Sequence, residues 1–481
     1  MAQATYDNKS LLVLRGFVAM SANSLWLMVL QLGYAAITSR LLTPDAFGSY
    51  AVALAAVGLT GMVGGSSLEL AAARRSEESA HLDRALMAAA GIVGTAALVI
   101  TVLVSEPWAV LWHSPGSAPV TKVLALSLPF AALQGVFAGI LRRKGFSASL
   151  AVTTAIMQSL ALAVGLAAVL IIEDAWTLAV SPVAASAFAA LALALRMPGG
   201  WRQPALPGSA SIPDLTFSVK AAALNLMRYA SRSFGVWSIG RFAGTDALGA
   251  FNRAATLTTV PLDSIQRSFT YALYPEMRSG GPVHRSPTAL NDVLLLVAAS
   301  AVLLAGTGFF LAPVLVNVLL GPGWEQAALL AGPAVLLGVV PMVSAPLGTA
   351  LEAQGRFRPT VISWAVSVPA IGLGALLTYE LTSPLPAVIG LVIAGLISIP
   401  VLSVPLWRQG LLDPANVLLG LRSLLVIQAV FSTLLFAVHT AVGNALVGAL
   451  VMGLVVAVEA ALLWLGRERV PAFTVLRSRL G

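Results

Sequence analysis

Apolar runs of about twenty residues, separated by short polar or basic loops, recur from one end of the chain to the other. A helix needs about 20 largely apolar residues to cross the roughly 30 Å of bilayer hydrocarbon. Applied along the chain, that length predicts fourteen spans: Arg15–Thr38, Phe47–Leu70, Ala85–Ser105, Val123–Leu141, Leu150–Ile172, Trp176–Leu195, Val219–Arg241, Leu248–Pro275, Val293–Leu319, Ala327–Leu351, Val361–Tyr379, Ala387–Leu406, Val417–Ala437 and Ala445–Leu465. The runs are too long for barrel strands and do not alternate between apolar and polar positions. The expected class is therefore an all-α polytopic membrane protein. The first run exceeds the core of a secretory signal, so it reads as a span.

Composition points the same way. Of 481 residues, 58% are hydrophobic and 10% are charged, where a soluble domain devotes about a quarter to charge. The net charge of +8 would suggest nucleic-acid binding in a soluble chain. Here it reads as basic loops held on the cytoplasmic side, and no nucleic-acid partner is expected. With the N-terminus inside, 21 of the 28 lysines and arginines fall at inner loops and ends. Both termini are thus expected in the cytoplasm. The chain has no cysteine, and its four histidines (His81, His113, His284 and His439) lie far apart, so no metal site is expected.

The longest loop, rich in proline and glycine, follows Arg196 and reads as a linker. It divides residues 1–195, a first lobe of six spans, from residues 219–407, a second lobe of six. Residues 408–481 then hold two further spans and a cytoplasmic tail. An internal repeat supports this division. Arg40-Leu-Leu-Thr-Pro-Asp45-Ala-Phe-Gly48-Ser-Tyr50 and Arg241-Phe-Ala-Gly-Thr-Asp246-Ala-Leu-Gly249-Ala-Phe251 share Arg, Asp, Gly and an aromatic at the same spacing, 201 positions apart. A weaker echo links Lys144-Gly145-Phe146 with Gly355-Arg356-Phe357. Repeats six spans apart share one orientation. They predict two lobes in pseudo-two-fold arrangement about an axis along the membrane normal, around a central cavity.

Charged groups deep in a bilayer are costly unless they face water, a partner or a substrate. In the seventh span Asn225, Arg228 and Arg232 fall at i, i+3 and i+7, on one helical face. The functional reading is an anion site; the structural one is an ion pair with Asp263 or Glu69. Guanidinium suits the former, because it stays charged when desolvated and bonds phosphate through paired donors. The eighth span has a second polar face with Asn252, Thr256, Thr259, Asp263, Gln266, Arg267 and Thr270. Asp263 and Arg267 stand at i, i+4, so mutual pairing and substrate contact are both open. The first span adds Asn23, Ser24, Gln31 and Thr38, with Arg15 at its cytoplasmic mouth as a cavity residue or a snorkelling one. Asp263 and Glu69 are the carboxylates placed for coupling. Gly58, Gly61 and Gly65 read as close helix packing. Glu459, midway along the last span, stands alone in the sequence without an evident role.

No phosphate-binding Gly-rich loop with Lys-Ser/Thr occurs, and no loop holds a nucleophile–base or paired-carboxylate constellation. Transport, not covalent chemistry, is the expected activity, with no bound cofactor. A membrane polymerase or ligase would be expected to place catalytic groups in a sizeable outer loop, yet Glu106 to Thr121 is the longest outer loop and holds His113 alone.

The stretch Arg40 to Tyr50, the Phe251-Asn252-Arg253-Ala254 opening of the eighth span, Pro261 and Tyr274-Pro275 resemble the oligosaccharide flippases of the multidrug/oligosaccharidyl-lipid/polysaccharide exporter superfamily. The resemblance covers about the first 410 residues. It implies two six-helix bundles around a V-shaped cavity, in the bacterial inner membrane. It also implies passage of an undecaprenyl-diphosphate-linked oligosaccharide from the cytoplasmic to the outer leaflet. Arg228, Arg232 and Arg267 are then the candidates for the diphosphate, and a proton gradient, a sodium gradient or the membrane potential would drive the cycle. The expected partners are the lipid-linked substrate, membrane lipids and polysaccharide polymerase or assembly proteins; one chain holds both lobes, so a monomer suffices. Two alternatives stay open: a lipid II flippase, which would use the two extra spans for a lipid tail, and a cation-coupled multidrug antiporter.

Overall fold

A computed structural model describes residues 26–64, 68–69, 72, 80–144, 146–197, 229, 233–278, 287–354, 356, 358–441 and 445–465. Among them the chain is helical throughout, with no strand, and each of the fourteen predicted spans has helix in it. We number the helices α1 (26–41), α2 (Pro44–Gly64), α3 (Ala80–Leu111), α4 (Ser117–Ala125), α5 (Ser127–Arg143), α6 (Ser147–Ile172), α7 (Val180–Leu195), α8 (233–238), α9 (Thr245–Arg278), α10 (Pro287–Leu320), α11 (Glu325–Ala353), α12 (Arg358–Leu381), α13 (Leu385–Arg408), α14 (Pro414–Ala441) and α15 (Ala445–Leu465). A 3-10 turn, Ala175–Ala179, leads into α7, and a π turn, Ile239–Ala243, closes α8.

Ten helical segments among the described residues are long and apolar enough to cross a membrane. The fourth predicted span is broken at Leu126, between α4 and α5. Pro129 has no N–H to give the Ala125 carbonyl, so one helical hydrogen bond is lost at that turn. Large apolar side chains such as Leu103, Ile171, Leu191 and Leu450 stand exposed on the helices, as a lipid-facing surface requires.

The chain divides into two compact units, Met1–Gly249 and Ala250–Gly481. In the first, Leu86, Val136, Ile140, Leu141 and Leu193 pack α3, α5 and α7 together. Ala53, Val120, Leu124 and Ala179 join α2, α4 and the 3-10 turn. In the second, Leu290, Leu294, Leu347, Leu351, Leu402 and Leu406 join α10, α11 and α13. Two smaller clusters, around Leu295, Leu421 and Leu424 and around Val314, Leu435 and Met452, bring α14 and α15 onto α10.

The weaker sequence echo has a local cause. The Phe146 N–H donates to the Leu141 carbonyl at 3.0 Å, and the Arg356 N–H to the Leu351 carbonyl at 2.9 Å. Both bonds link the third-last helical residue with the second residue past the cap, the closing bond of a helix end. The same bond ends α13, where Leu411 N–H donates to Leu406 at 3.1 Å and Gly410 takes φ +69°. The same helix-closing bond thus recurs at three helix ends.

Candidate functional site

The strong repeat folds into one contact. Asp45 and Asp246 each sit in the first turn of a helix, α2 and α9, where a carboxylate meets the positive end of the helix dipole. The two helix starts lie against each other. A Cβ on Gly48 would run into the carbonyl of Thr245, and a Cβ on Gly249 into the carbonyl of Pro44 and, at 2.8 Å, the Gly48 nitrogen. Thr245 lies 201 positions after Pro44, and Gly249 lies 201 after Gly48. The contact is therefore reciprocal, each repeat offering its glycine to the other's backbone. Thr245 Oγ1 also donates to Asp45 Oδ1. No matching bond to Asp246 is available from Pro44, which has no hydroxyl.

Beside this contact runs a chain of aromatic rings. Trp108 and Trp112, one turn apart near the end of α3, have centroids 5.7 Å apart. Trp112 meets Trp237 of α8 edge-on at 6.3 Å, and Trp237 meets Tyr229 at 6.0 Å. Trp108 Nε1 donates to the Val52 carbonyl at 3.0 Å, while Trp112 Nε1 is buried without a hydrogen-bond partner among the described residues. Arg241 Nη1 donates to His113 Nδ1 at 3.1 Å, which makes that ring nitrogen the acceptor. Gly58 of α2 packs against the Tyr229 hydroxyl, so this glycine serves close packing, as its sequence spacing suggested.

The described part of the predicted polar face of α9 is present. Asn252, Thr256, Thr259 and Gln266 are half-buried at helical spacing. Thr256 donates to the Asn252 carbonyl at 2.7 Å and Thr259 to the Ala255 carbonyl at 2.8 Å, leaving each hydroxyl oxygen able to accept. Asn252 Oδ1 accepts from Arg253 Nη2 at 3.4 Å, and Arg253 is buried. Sequence reasoning placed Arg253 within a span without giving it a role. Gln31, on α1, is half-buried. Thr38 is buried, and its hydroxyl donates to the Tyr34 carbonyl at 2.7 Å, so it faces helix packing. Arg15, Asn23, Asn225, Arg228 and Arg232 lie outside the described residues. For Asp263 and Arg267 the helix is described but the side chains are not.

At the other end of α5 two ion pairs form. Arg142 Nη1 donates to Glu69 Oε1 at 2.5 Å, a pair with partly exposed side chains. Arg143 Nη2 donates to both oxygens of Asp83, at 2.9 and 2.7 Å, and Nη1 reaches the Ala72 carbonyl at 3.3 Å. These side chains keep only 8% and 11% exposure. Among the described residues, no cluster of histidine and carboxylate groups could hold a metal ion.

The comparisons with known proteins follow this geometry. Residues 37–329, more than half of the chain, match the family model described as "Polysaccharide biosynthesis protein". The succinoglycan biosynthesis transport protein ExoT of Rhizobium meliloti (strain 1021) is 25% identical over 372 residues, 71% of this chain and 69% of that protein. A lipid II flippase, MurJ, solved in an inward closed conformation, superposes with a TM-score of 0.72 at 12% identity. That likeness covers 93% of this chain and 99% of MurJ. An inward-facing multidrug resistance MATE family transporter of the MOP superfamily gives 0.60 at 14% identity, over 82% and 98% of the two chains. At such identities these structures fix the fold alone.

Proposed function

Because the chain belongs to the polysaccharide biosynthesis protein family, we propose that it flips an undecaprenyl-diphosphate-linked oligosaccharide from the cytoplasmic to the outer leaflet of a bacterial inner membrane. The protein is a multi-pass membrane transporter of the MOP fold; substrate, coupling and membrane are the proposed part. The observation that carries the proposal is the family match over residues 37–329, which takes in both copies of the strong repeat. The relative from Rhizobium meliloti is a transport protein of succinoglycan biosynthesis, a polysaccharide pathway.

In the proposed cycle Arg228 and Arg232, with Asn225 three positions before Arg228 and with Arg267 on α9, hold the diphosphate by charge-assisted hydrogen bonds. Asn252, Gln266, Gln31 and Asn23 meet sugar hydroxyls, with Arg15 at the cytoplasmic entry, and the lipid tail stays in hydrocarbon. Asp263 is the coupling carboxylate; Glu69, already matched by Arg142, is a weaker candidate. Both termini lie in the cytoplasm, one chain suffices, and polymerase or assembly proteins take the product.

The test is leaflet exchange of a fluorescent undecaprenyl-diphosphate oligosaccharide in liposomes, wild type against Arg228→Gln/Arg232→Gln. Protein-dependent exchange that collapses in the variant supports both substrate and site. Exchange that survives the double change removes the arginines from the site. A second reading, lipid II transport, stays open because the fold is shared with a lipid II flippase over 93% of this chain. Exchange of lipid II in the same liposomes, with none of the oligosaccharide, would establish it. Drug resistance conferred without a cell-surface glycan defect would instead mark an antiporter.

A further inference from the structure

The last helix contains a carboxyl group that the proposed translocation path does not use. Glu459, in the middle of α15, is 3% exposed. Thr307 Oγ1 of α10 donates to its Oε2 at 3.0 Å. Gln428 of α14, 5% exposed, completes the group. With its amide oriented to satisfy both ends, the nitrogen donates to Glu459 Oε1 at 2.8 Å and the oxygen accepts from the Thr307 N–H at 3.3 Å. Room for this amide comes from Gly306, where any Cβ would collide with the Gln428 side chain. Three helices thus converge on one carboxyl through neutral groups only.

Among the described residues Glu459 has no ion-pair partner; Lys122–Glu106, Arg142–Glu69 and Arg143–Asp83 pair elsewhere. The other charged or titratable residues on these helices lie along the axes from the cluster. Asp292 of α10 is fifteen residues before Thr307, roughly 22 Å. On α14, Arg422 is six residues before Gln428, roughly 9 Å, and exposed, while His439 is eleven residues after it, roughly 16 Å. A bare carboxylate in such surroundings is strongly disfavoured.

We propose that Glu459, Gln428 and Thr307 form a membrane-embedded proton-binding site where the last two helices, α14 and α15, meet α10. The donor set selects a proton over sodium. One carboxyl oxygen is occupied by an amide N–H, leaving too few converging oxygens to replace the hydration shell of a metal ion. Thr307 lets both protonation states bond without moving heavy atoms. Its hydroxyl donates to the charged carboxylate, or accepts from the carboxylic O–H while giving its own proton to a helix carbonyl one turn back.

The full-length protein in lipid nanodiscs is treated with a hydrophobic carbodiimide, which attacks protonated carboxyl groups in apolar surroundings, and the modified peptide is identified by mass spectrometry. Glu459 is expected to be labelled, with labelling falling about tenfold per pH unit once the proton is lost. Glu459→Gln abolishes the label and the carboxylic C=O stretching band in pH-difference infrared spectra. Thr307→Val keeps the carboxyl but removes a donor to its charged form, so labelling persists to higher pH; this variant carries the test if Glu459→Gln does not fold. In liposomes, Glu459→Gln is expected to lose the response of substrate exchange to an imposed pH gradient. Absent or pH-independent labelling overturns the proposal, as does protection by sodium at fixed pH, which would make the site a sodium site. A gradient response unchanged in the variant would leave a structural carboxyl and overturn the site's role in transport. Labelling needs no substrate, so this proposal and the flippase reading fail separately.

Discussion

Replacing Arg143 with Met removes the cation from a carboxylate that has almost no access to water. Arg143 and Asp83 keep 8% and 11% exposure, and both carboxylate oxygens accept from the one nitrogen Nη2, at 2.9 and 2.7 Å. Breaking a buried pair by deleting one partner costs about 3–5 kcal/mol, because the remaining charge stays buried. The pair sits near the start of α3, where water lies within reach of a modest shift, so we expect roughly 3 kcal/mol for Arg143→Met, at the low end of that range. Replacing both partners, as Asp83→Leu/Arg143→Met, removes the stranded charge and should fall within about 1 kcal/mol of wild type. The coupling in the double-mutant cycle is then about 2 kcal/mol or more. Arg143→Lys is the discriminating variant. The guanidinium uses one nitrogen for the pair and another only for the Ala72 carbonyl at 3.3 Å, while Nε has no partner among the described residues. A lysine point charge should keep most of the interaction, at a cost of about 1 kcal/mol. Unfolding by denaturing detergent in mixed micelles, followed by tryptophan fluorescence, gives all four values. Single costs below about 1 kcal/mol that simply add would refute a buried, mutually dependent pair.

Other outcomes follow from the same geometry. Gly249→Leu should separate the starts of α2 and α9 and cost about 1–3 kcal/mol as overpacking; crosslinking of cysteines placed at Asp45 and Thr245 should weaken with it. Trp108→Phe should cost about 1 kcal/mol more than Trp112→Phe, since only Trp108 Nε1 donates, to Val52 at 3.0 Å; thermal unfolding in detergent compares them. Arg228→Gln/Arg232→Gln should abolish oligosaccharide exchange while leaving thermal stability within about 1 kcal/mol of wild type, because these residues are proposed to face substrate rather than each other.

The spans were legible because a bilayer demands one simple thing of a helix, length without charge, and no partner residue need be known to see it. The reciprocal glycine contact was half legible. Spacing revealed that Gly48 and Gly249 correspond, but only the structure shows that they touch. The count of basic residues placed Arg142 and Arg143 on the inner side, but it could not reveal their partners, Glu69 and Asp83, which lie 73 and 60 positions away. Glu459 was visible as an anomaly and its meaning was not, because Thr307 lies 152 positions away in sequence. No local pattern announces such a meeting. The aromatic chain had a faint signal, Trp108 and Trp112 on one helical face, but its continuation to Trp237 crosses from α3 to α8.

The meeting of Gly48 with Thr245 and Gly249 with Pro44 has a consequence for how the two copies could diverge. Backbone against hydrogen carries no side-chain code, so drift elsewhere in either segment does not register at the contact, while any added carbon at the two glycines does. Leu41 could part from Phe242, and Thr43 from Gly244, without the two helix starts losing their fit. Such a junction is an identity in size alone, held at Gly48 and Gly249 and blind to the side chains around them.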